Sequence, residues 1–202
     1  RYLVHRLSAD SRMQAVAENL MPPFVVDTMR RSSTLPRAAS STLVRHSYPM
    51  ITVMQADLAG FTAFSKSKPP EEVVVVINGL FSIFDGYVDK YKAYKMETIG
   101  DAYICVSGLP NGQRIVHSPS AMLRLAREFV LAVSKYKKRC RLPEELGLRV
   151  GIHSGACVGG VVGTTMQRYH LFGRTMKIAD VLESTAPIGA IHFSASTKDR
   201  ES

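Results

Sequence analysis

From residue 50 onward, short apolar runs of strand length alternate with two long segments of helical periodicity, and this alternation constrains the fold most. In the first long segment, apolar side chains recur every three or four residues between Val73 and Tyr91, after prolines and acids that favour a helix start. In the second, Ser118-Pro119 predicts the cap of a helix that reaches at least Val133. The order β-α-β-β-α-β predicts an α+β protein, a ferredoxin-like sandwich.

The apolar runs predict the individual strands. Residues 93–98 and 102–107 flank Ile99-Gly100-Asp101, whose length and glycine predict a β-hairpin. The other predicted elements are a first strand at 50–58, two strands at 148–153 and 156–162 around Ser154-Gly155, a short helix at 176–183 and a strand at 190–193.

The first 49 residues consist of a short helical pattern followed by a polar segment without periodicity. Apolar residues at helical spacing predict a short helix over 13–20, which Met21-Pro22-Pro23 ends. Residues 30–49 are rich in Ser, Thr, Arg and Pro and lack periodicity, so they predict an exposed linker. We therefore divide the chain into a helical segment with a basic linker, 1–49, and one domain, 50–202.

The composition is that of a globular protein, with 46% hydrophobic and 21% charged residues, and it excludes disorder. The longest apolar stretch, 73–84, is shorter than the ~20 residues that a membrane span needs. Three cysteines without a CxxC spacing predict reduced thiols and no zinc site. The net charge of +9 suits nucleic acid, solvated helix ends or a small polyanion such as a nucleotide. Because the chain opens on Arg1 without a signal peptide, we expect a piece of a longer protein.

Two aspartates, Asp57 and Asp101, are the sharpest chemical feature. Each lies where an apolar strand gives way to a turn that contains glycine. If the two strands are neighbours in the sheet, both carboxylates point at one spot. Two oxygen ligands with open coordination positions suit Mg²⁺ that carries a polyphosphate. The alternative is that both aspartates only close turns.

Several motifs resemble the catalytic domain of class III nucleotide cyclases, in order and at family-like spacing over residues 50–195. The segment around Met21-Pro22-Pro23 also resembles the coupling segment that precedes such domains in receptor and soluble guanylyl cyclases. The matching segments of the domain are 51–62 (ITVMQADLAGFT), 96–110 (METIGDAYICVSGLP), 148–155 (LRVGIHSG) and 168–173 (RYHLFG).

The resemblance implies a reaction in which the ribose 3′-oxygen of GTP or ATP attacks the α-phosphate, giving a 3′,5′-cyclic nucleotide and pyrophosphate. It implies two Mg²⁺ or Mn²⁺ ions, held by Asp57, Asp101 and the backbone carbonyl of Leu58. Arg149 matches a triphosphate-binding arginine, with an ordinary surface arginine of a strand as the alternative. The backbone N–H groups matched to phosphate are those of Gly60, Phe61 and Thr62.

Active sites of this family lie at a dimer interface, where one half provides the aspartates and the other recognises the base. The base-recognition positions match Glu97 and His170 here. Glu97 resembles guanylyl cyclases, whereas His170 departs from both the Cys and the Asp of the family, so GTP is favoured but ATP stays open. The alternatives are a solvated carboxylate at a strand end for Glu97 and a packed histidine for His170.

The transition-state Asn and Arg of the family fall on Lys177 and Val181, and valine can donate no hydrogen bond to a developing charge. The chain therefore resembles the metal-bearing half of an asymmetric pair, so we expect a second cyclase domain as a hetero- or pseudo-heterodimeric partner. The last strands of the family, with a lysine that contacts the triphosphate, are missing from this chain, which ends at Ser202.

Two other functions stay open. One is a non-catalytic, cyclase-like regulatory domain that dimerises; retention of both aspartates disfavours it. The other is a ferredoxin-like nucleic-acid binder, which would need aromatic pairs that the predicted central strands lack. We therefore expect no nucleic-acid partner, a cytoplasmic location, and membrane association only through other parts of the parent protein.

Overall fold

A computed structural model describes residues 21–33, 44–111, 114–115, 117–163 and 167–198. The predicted α+β class and the order β-α-β-β-α-β are confirmed, with additional short elements between them. The described elements are α1 Pro23–Ser33, β1 Arg45–Ala59, α2 Phe61–Lys66, α3 Pro70–Lys90, β2 Tyr94–Ile99, β3 Ala102–Ser107, β4 Pro110–Asn111, β5 Arg114–Ile115, α4 Pro119–Cys140, β6 Gly147–Val162, β7 Arg168–Phe172, α5 Arg174–Ser184, β8 Ile191–Phe193 and α6 Ala195–Lys198.

The chain divides into two compact units. The larger unit consists of the described parts of Tyr48–Leu109, Val116–Cys157 and Gly173–Ser202. Its sheet has the strand order β2-β3-β1-β6, and β8 pairs in parallel with β6. Strands β1 and β3 are antiparallel, and their register runs from Thr52 opposite Ser107 to Asp57 opposite Ala102.

The core of the larger unit is formed by one face of this sheet and the helices α3 and α4. Both helices bury their apolar stripe, and the rings of Phe84 and Phe129 stack with their centroids 3.9 Å apart. Leu80 and Leu125 are fully buried beside them. Burial of side chains of this size contributes roughly 1.5–3 kcal/mol each, so this core holds the strand ends that carry Asp57 and Asp101 in place.

Local sequence signals predict two features of this unit correctly, the β2–β3 hairpin and the start of α4. Strands β2 and β3 form the predicted hairpin, and Gly100 in its turn has a φ of +61°, in the left-handed region that favours glycine. Helix α4 begins at Pro119, and the N–H of Ala121 donates to Oγ of Ser118 over 3.2 Å, as expected for a serine cap.

The prediction of two strands around Ser154-Gly155 is wrong, because β6 is one continuous strand. Ser154 is buried, and its hydroxyl lies 2.8 Å from Oγ1 of Thr52 on β1, so it belongs to the sheet. A Cβ atom at Gly155 would come within 2.8 Å of Oγ1 of Thr175. The glycine therefore permits the close approach of α5 and does not form a turn.

The smaller unit consists of the described parts of Arg1–Ser47, Pro110–Ile115 and Val158–Phe172. Strand β7 pairs antiparallel with the end of β6, from Val158 opposite Phe172 to Val162 opposite Arg168. Phe24 of α1 makes edge-on ring contacts with His46 and Tyr169, at centroid distances of 5.0 and 5.9 Å. These aromatic contacts join α1, the start of β1 and β7.

The predicted linker over residues 30–49 is wrong wherever the structure describes it, because α1 extends to Ser33 and β1 begins at Arg45. Pro23 begins α1, a position that suits a residue without an N–H group. The packing of α1 against His46 and Tyr169 stabilises this region where composition alone indicates a loop. The predicted helix over 13–20 lies outside the described residues, and the division at residue 49 stays a prediction.

Other expectations concern the cysteines and the membrane. Cys105, Cys140 and Cys157 are all free thiols, and only Cys140 is exposed. Among the residues that the structure describes, no helix has the length and apolar character needed to cross a bilayer.

Candidate active site

The structure brings Asp57 and Asp101 together, as the sequence predicts for neighbouring strands. Asp57 lies near the end of β1, and its register partner on β3 is Ala102, the residue that follows Asp101. Burial raises the pKa of Asp101, and the negative charge of Asp57 raises it further, against a smaller opposing effect of Arg149. The two carboxylates are therefore close enough to repel each other when both are ionised.

Two such carboxylates suit a magnesium ion, which binds through one or two carboxylates and keeps other positions for water and phosphate. In the described part of the chain, no group of three or more His, Cys, Asp or Glu side chains could enclose a metal ion. The side chain of Leu58 is a hydrocarbon that lies buried in the core, so the backbone carbonyl is the part of Leu58 that could act as a ligand. The possible ligands are therefore all oxygen atoms, and they leave coordination positions open. This arrangement fits a metal ion that also binds substrate.

The turn after β1 is closely packed. Gly60 has a φ of +78°, and a Cβ atom there would lie 2.7 Å from the backbone oxygen of Glu145. Helix α2 begins at Phe61, whose ring contacts Phe64 with the centroids 5.8 Å apart, while Thr62 is exposed. The first N–H groups of a helix have no acceptor within it, so this turn presents backbone donors beside the aspartates.

Arg149 on β6 contacts two carboxylates. Its Nη2 donates to Oδ2 of Asp57 over 2.7 Å, and its Nε lies 3.0 Å from Oε1 of Glu183. The second contact is an ion pair outside hydrogen-bonding geometry. Arg149 is part-buried, with 29% of its side chain exposed and two carboxylate partners, and its role in binding the triphosphate stays a prediction.

Glu183 is the residue that the sequence reasoning missed. It lies on the buried stripe of α5 with Thr175 and Ala179, at a spacing of four residues. Burial raises the pKa of Glu183, and Arg149 opposes that rise. A carboxylate in the buried stripe of an amphipathic helix requires a cationic partner, and this signal was available from the sequence.

Lys177 and Val181, matched to the transition-state positions, lie one turn apart on the same helix, α5. Both side chains are exposed, Val181 by 51%. They therefore occupy a face of α5 that Glu183 does not share, since Glu183 is buried.

The two base-recognition positions fall in different units. Glu97 on β2 is half-buried and follows a shift of the β2–β3 register between Lys95 and Glu97, in the larger unit. His170 on β7 is half-buried, opposite Gly160, with its ring centroid 6.3 Å from that of Phe172. Each lies in an ordered strand of its own unit.

Comparison with known proteins identifies the class. The family model of the adenylate and guanylate cyclase catalytic domain matches residues 43–201, so the chain belongs to this family. The chain is 38% identical over 195 residues to atrial natriuretic peptide receptor 2 of Rattus norvegicus, a match that covers 96% of this chain and 18% of the receptor. The chain thus spans less than a fifth of that relative's length.

Solved structures agree with this assignment. The guanylate cyclase domain of RhGC from Catenaria anguillulae, in complex with GTP, is 29% identical with a TM-score of 0.70 and covers 76% of this chain and 82% of its own. The non-canonical dimeric guanylyl cyclase domain of the RhoGC fusion protein from Blastocladiella emersonii is 28% identical with a TM-score of 0.68 and covers 76% and 84%.

Proposed function

We propose that this chain is the metal-binding half of a nucleotide cyclase that converts GTP, with ATP as the alternative, into a 3′,5′-cyclic nucleotide and pyrophosphate. The observation that carries this proposal is the juxtaposition of Asp57 and Asp101 at neighbouring strand ends, beside Arg149. GTP is favoured because position 97 is Glu and because the two solved structures named above are guanylate or guanylyl cyclase domains.

In the proposed reaction, the ribose 3′-oxygen forms a bond to the α-phosphorus while the bond from that phosphorus to the bridging oxygen of pyrophosphate breaks. The 3′-hydroxyl proton leaves to solvent. Two Mg²⁺ or Mn²⁺ ions, when bound to Asp57, Asp101 and the Leu58 carbonyl, would activate the 3′-oxygen and bind the triphosphate. The protein supplies mainly positioning and charge stabilisation for this chemistry.

The other residues of the site bind the triphosphate in this proposal. Backbone N–H groups of Gly60, Phe61 and Thr62 donate to phosphate oxygens at the turn before α2. Arg149, whose Nη2 donates to Asp57 in this structure, would present its Nη atoms to the phosphates when a bound cation compensates the charge of Asp57. A guanidinium suits this role because it binds phosphate through two parallel hydrogen bonds.

The proposed enzyme requires a second cyclase domain. Lys177 and Val181 stand where the Asn and Arg of the family are expected, and Val181 has no donor. A partner domain, from another subunit or from the same polypeptide, would supply that pair. The RhoGC domain, a non-canonical dimer, supports only that a domain of this family can pair. The relatives that are receptors support a cytoplasmic catalytic domain, attached to a membrane only by other parts of the parent protein.

The test is a cyclase assay of the full-length parent protein, with GTP and ATP in parallel, for the wild type and Asp101→Ala. We expect the variant to lose turnover with both nucleotides because it removes a ligand charge and no core volume. Asp89→Ala, an exposed aspartate on α3, is the matched control and should retain activity. Nucleotide binding without turnover in the wild type would instead favour the regulatory domain, and normal turnover in Asp101→Ala would contradict the site.

A further inference from the structure

We infer that Glu183 is a positioning residue, which fixes the guanidinium of Arg149 in the orientation that receives the triphosphate. This inference rests on the proposed function, because it takes Arg149 to be the arginine that binds the phosphates. Nothing in the family's implied set of site residues includes Glu183, whose role follows from the geometry around Arg149.

Nε of Arg149 and the carboxylate of Glu183 form an isolated, buried ion pair. Nε of Arg149 and Oε1 of Glu183 lie 3.0 Å apart, and within the described structure neither buried atom has a hydrogen-bond partner. Only 10% of the Glu183 side chain is exposed. A buried charge without its counter-charge is costly, so each group of this pair keeps the other in place.

The backbone that carries Glu183 packs tightly against β6. A Cβ atom at Gly151 would lie 2.2 Å from the backbone nitrogen of Glu183 and 2.2 Å from the backbone oxygen of Ala179. Helix α5 therefore packs directly on the backbone of β6, the strand that also carries Arg149. Glu183 is thus held by main-chain contact at a fixed place relative to the start of the Arg149 side chain.

The two edges of the Arg149 guanidinium have different partners. Nε contacts Glu183, whereas Nη2 contacts Asp57 at 2.7 Å. If a cation bound Asp57, the Nη atoms would no longer require that carboxylate as a counter-charge. The contact between Nε and Glu183 would remain. A free arginine side chain carries about 2 kcal/mol of rotamer entropy, and fixing one edge of its fork removes part of that cost before phosphate arrives.

The test measures binding of inorganic tripolyphosphate by the whole chain at saturating Mg²⁺, using isothermal titration calorimetry. If Glu183 acted only as a nearby negative charge, Glu183→Gln would strengthen binding of this polyanion. A positioning role predicts the opposite sign, a weakening of about tenfold, equivalent to about 1.4 kcal/mol. Asp180→Asn removes the same charge from the exposed face of the same helix and should change affinity by less than about twofold.

A double-mutant cycle identifies the route of the effect. In the Arg149→Ala background, Glu183→Gln should change affinity by less than about twofold, because its partner is gone. Arg149→Lys keeps the positive charge but not the planar fork of the guanidinium, so its affinity for tripolyphosphate should fall by about as much as that of Glu183→Gln. It replaces Glu183→Gln in the experiment if that variant is too unstable for titration. Unchanged or tighter binding in Glu183→Gln overturns the positioning role alone. A wild-type chain that binds neither tripolyphosphate nor GTP with Mg²⁺ overturns the proposed function as well.

Discussion

Asp57 and Asp101 have different electrostatic surroundings although they lie at neighbouring strand ends. Asp57 accepts a hydrogen bond from Arg149 at 2.7 Å, so its charge is compensated within the protein. The pKa of Asp101 is raised by burial and by the charge of Asp57. The ionised form of Asp101 therefore destabilises the folded state slightly, as is common for groups proposed to bind a ligand.

We predict that Asp101→Asn is at least as stable as the wild type at neutral pH in the absence of metal. A carboxyl whose pKa is raised in the folded state binds its proton more tightly there, so ionisation destabilises the fold as pH rises above the ordinary value of 3.8. Asparagine removes this effect, and the advantage should vanish below that pH. Thermal unfolding of both proteins at neutral and acid pH measures the difference.

Asp57→Asn is the matched comparison, because it leaves Nη2 of Arg149 without a charged partner and should cost about 1–3 kcal/mol. A lower unfolding temperature for Asp101→Asn than for Asp57→Asn at neutral pH would contradict this account of the two carboxylates.

Asp57 and Asp101 were placed together from residue type and spacing, although their role as metal ligands stays a prediction, whereas Glu183, whose placement depends on packing, was missed. Asp57 and Asp101 are recognisable because a strand end followed by glycine is a local pattern. The position of Glu183 on the buried stripe of α5 indicates that it has a cationic partner. That partner is 34 residues away on another strand, so its identity follows only from the way that α5 packs on β6. The roles of Glu97, His170, Lys177 and Val181 stay predictions.

For whole helices and strands, the predictions were right where contacts within a few residues decide the structure and wrong where distant contacts do. The β2–β3 hairpin and the Ser118 cap follow from bonds within a few residues, and the sequence predicted both. The continuity of β6 depends on Ser154 bonding to Thr52, which is distant in sequence, so a Ser-Gly pair looked like a turn. The start of β1 was missed for a similar reason, because His46 contacts Tyr169, which is distant in sequence.

Gly151 provides a test of how closely α5 packs on β6. An alanine there would place its Cβ 2.2 Å from two backbone atoms of α5, so strand and helix must separate. We predict that Gly151→Ala destabilises the protein by about 1–3 kcal/mol, the usual cost of overpacking. Urea unfolding with a common slope gives the value.

Gly86→Ala is the matched control, since Gly86 lies on the exposed face of α3 with nothing within 4 Å of an added Cβ. That variant should gain up to about 1 kcal/mol from helix propensity. Equal effects of the two substitutions would show that backbone entropy, and not the contact with α5, sets the cost at Gly151.

For the whole molecule, the exposed face of α5 determines what the chain can do alone. Lys177 and Val181 are both solvent-exposed, so neither is needed for the core and both are free to change without loss of packing. A pair formed by two copies of this chain would hold two sets of aspartates and would lack the amide and guanidinium donors of the family at both sites. On the proposed function, we therefore expect turnover to require a complementary partner, and nucleotide and metal binding to persist without one.

We predict that a homodimer of this chain is nearly inactive with Mg²⁺ and GTP or ATP, and that Lys177→Asn combined with Val181→Arg raises its turnover. One preorganised donor is typically worth ~10²–10³ in rate, and two donors that act together need not multiply. Because Val181 is 51% exposed, arginine fits there without entering the core. Lys177→Asn alone is the control, since it restores the amide without the guanidinium and should recover less turnover.

The decisive measurement is the turnover of a monodisperse wild-type dimer free of any partner. A rate of ~1 s⁻¹ or more, typical of enzymes, would mean that Lys177 or another group replaces the missing pair and that the chain is not a half-site.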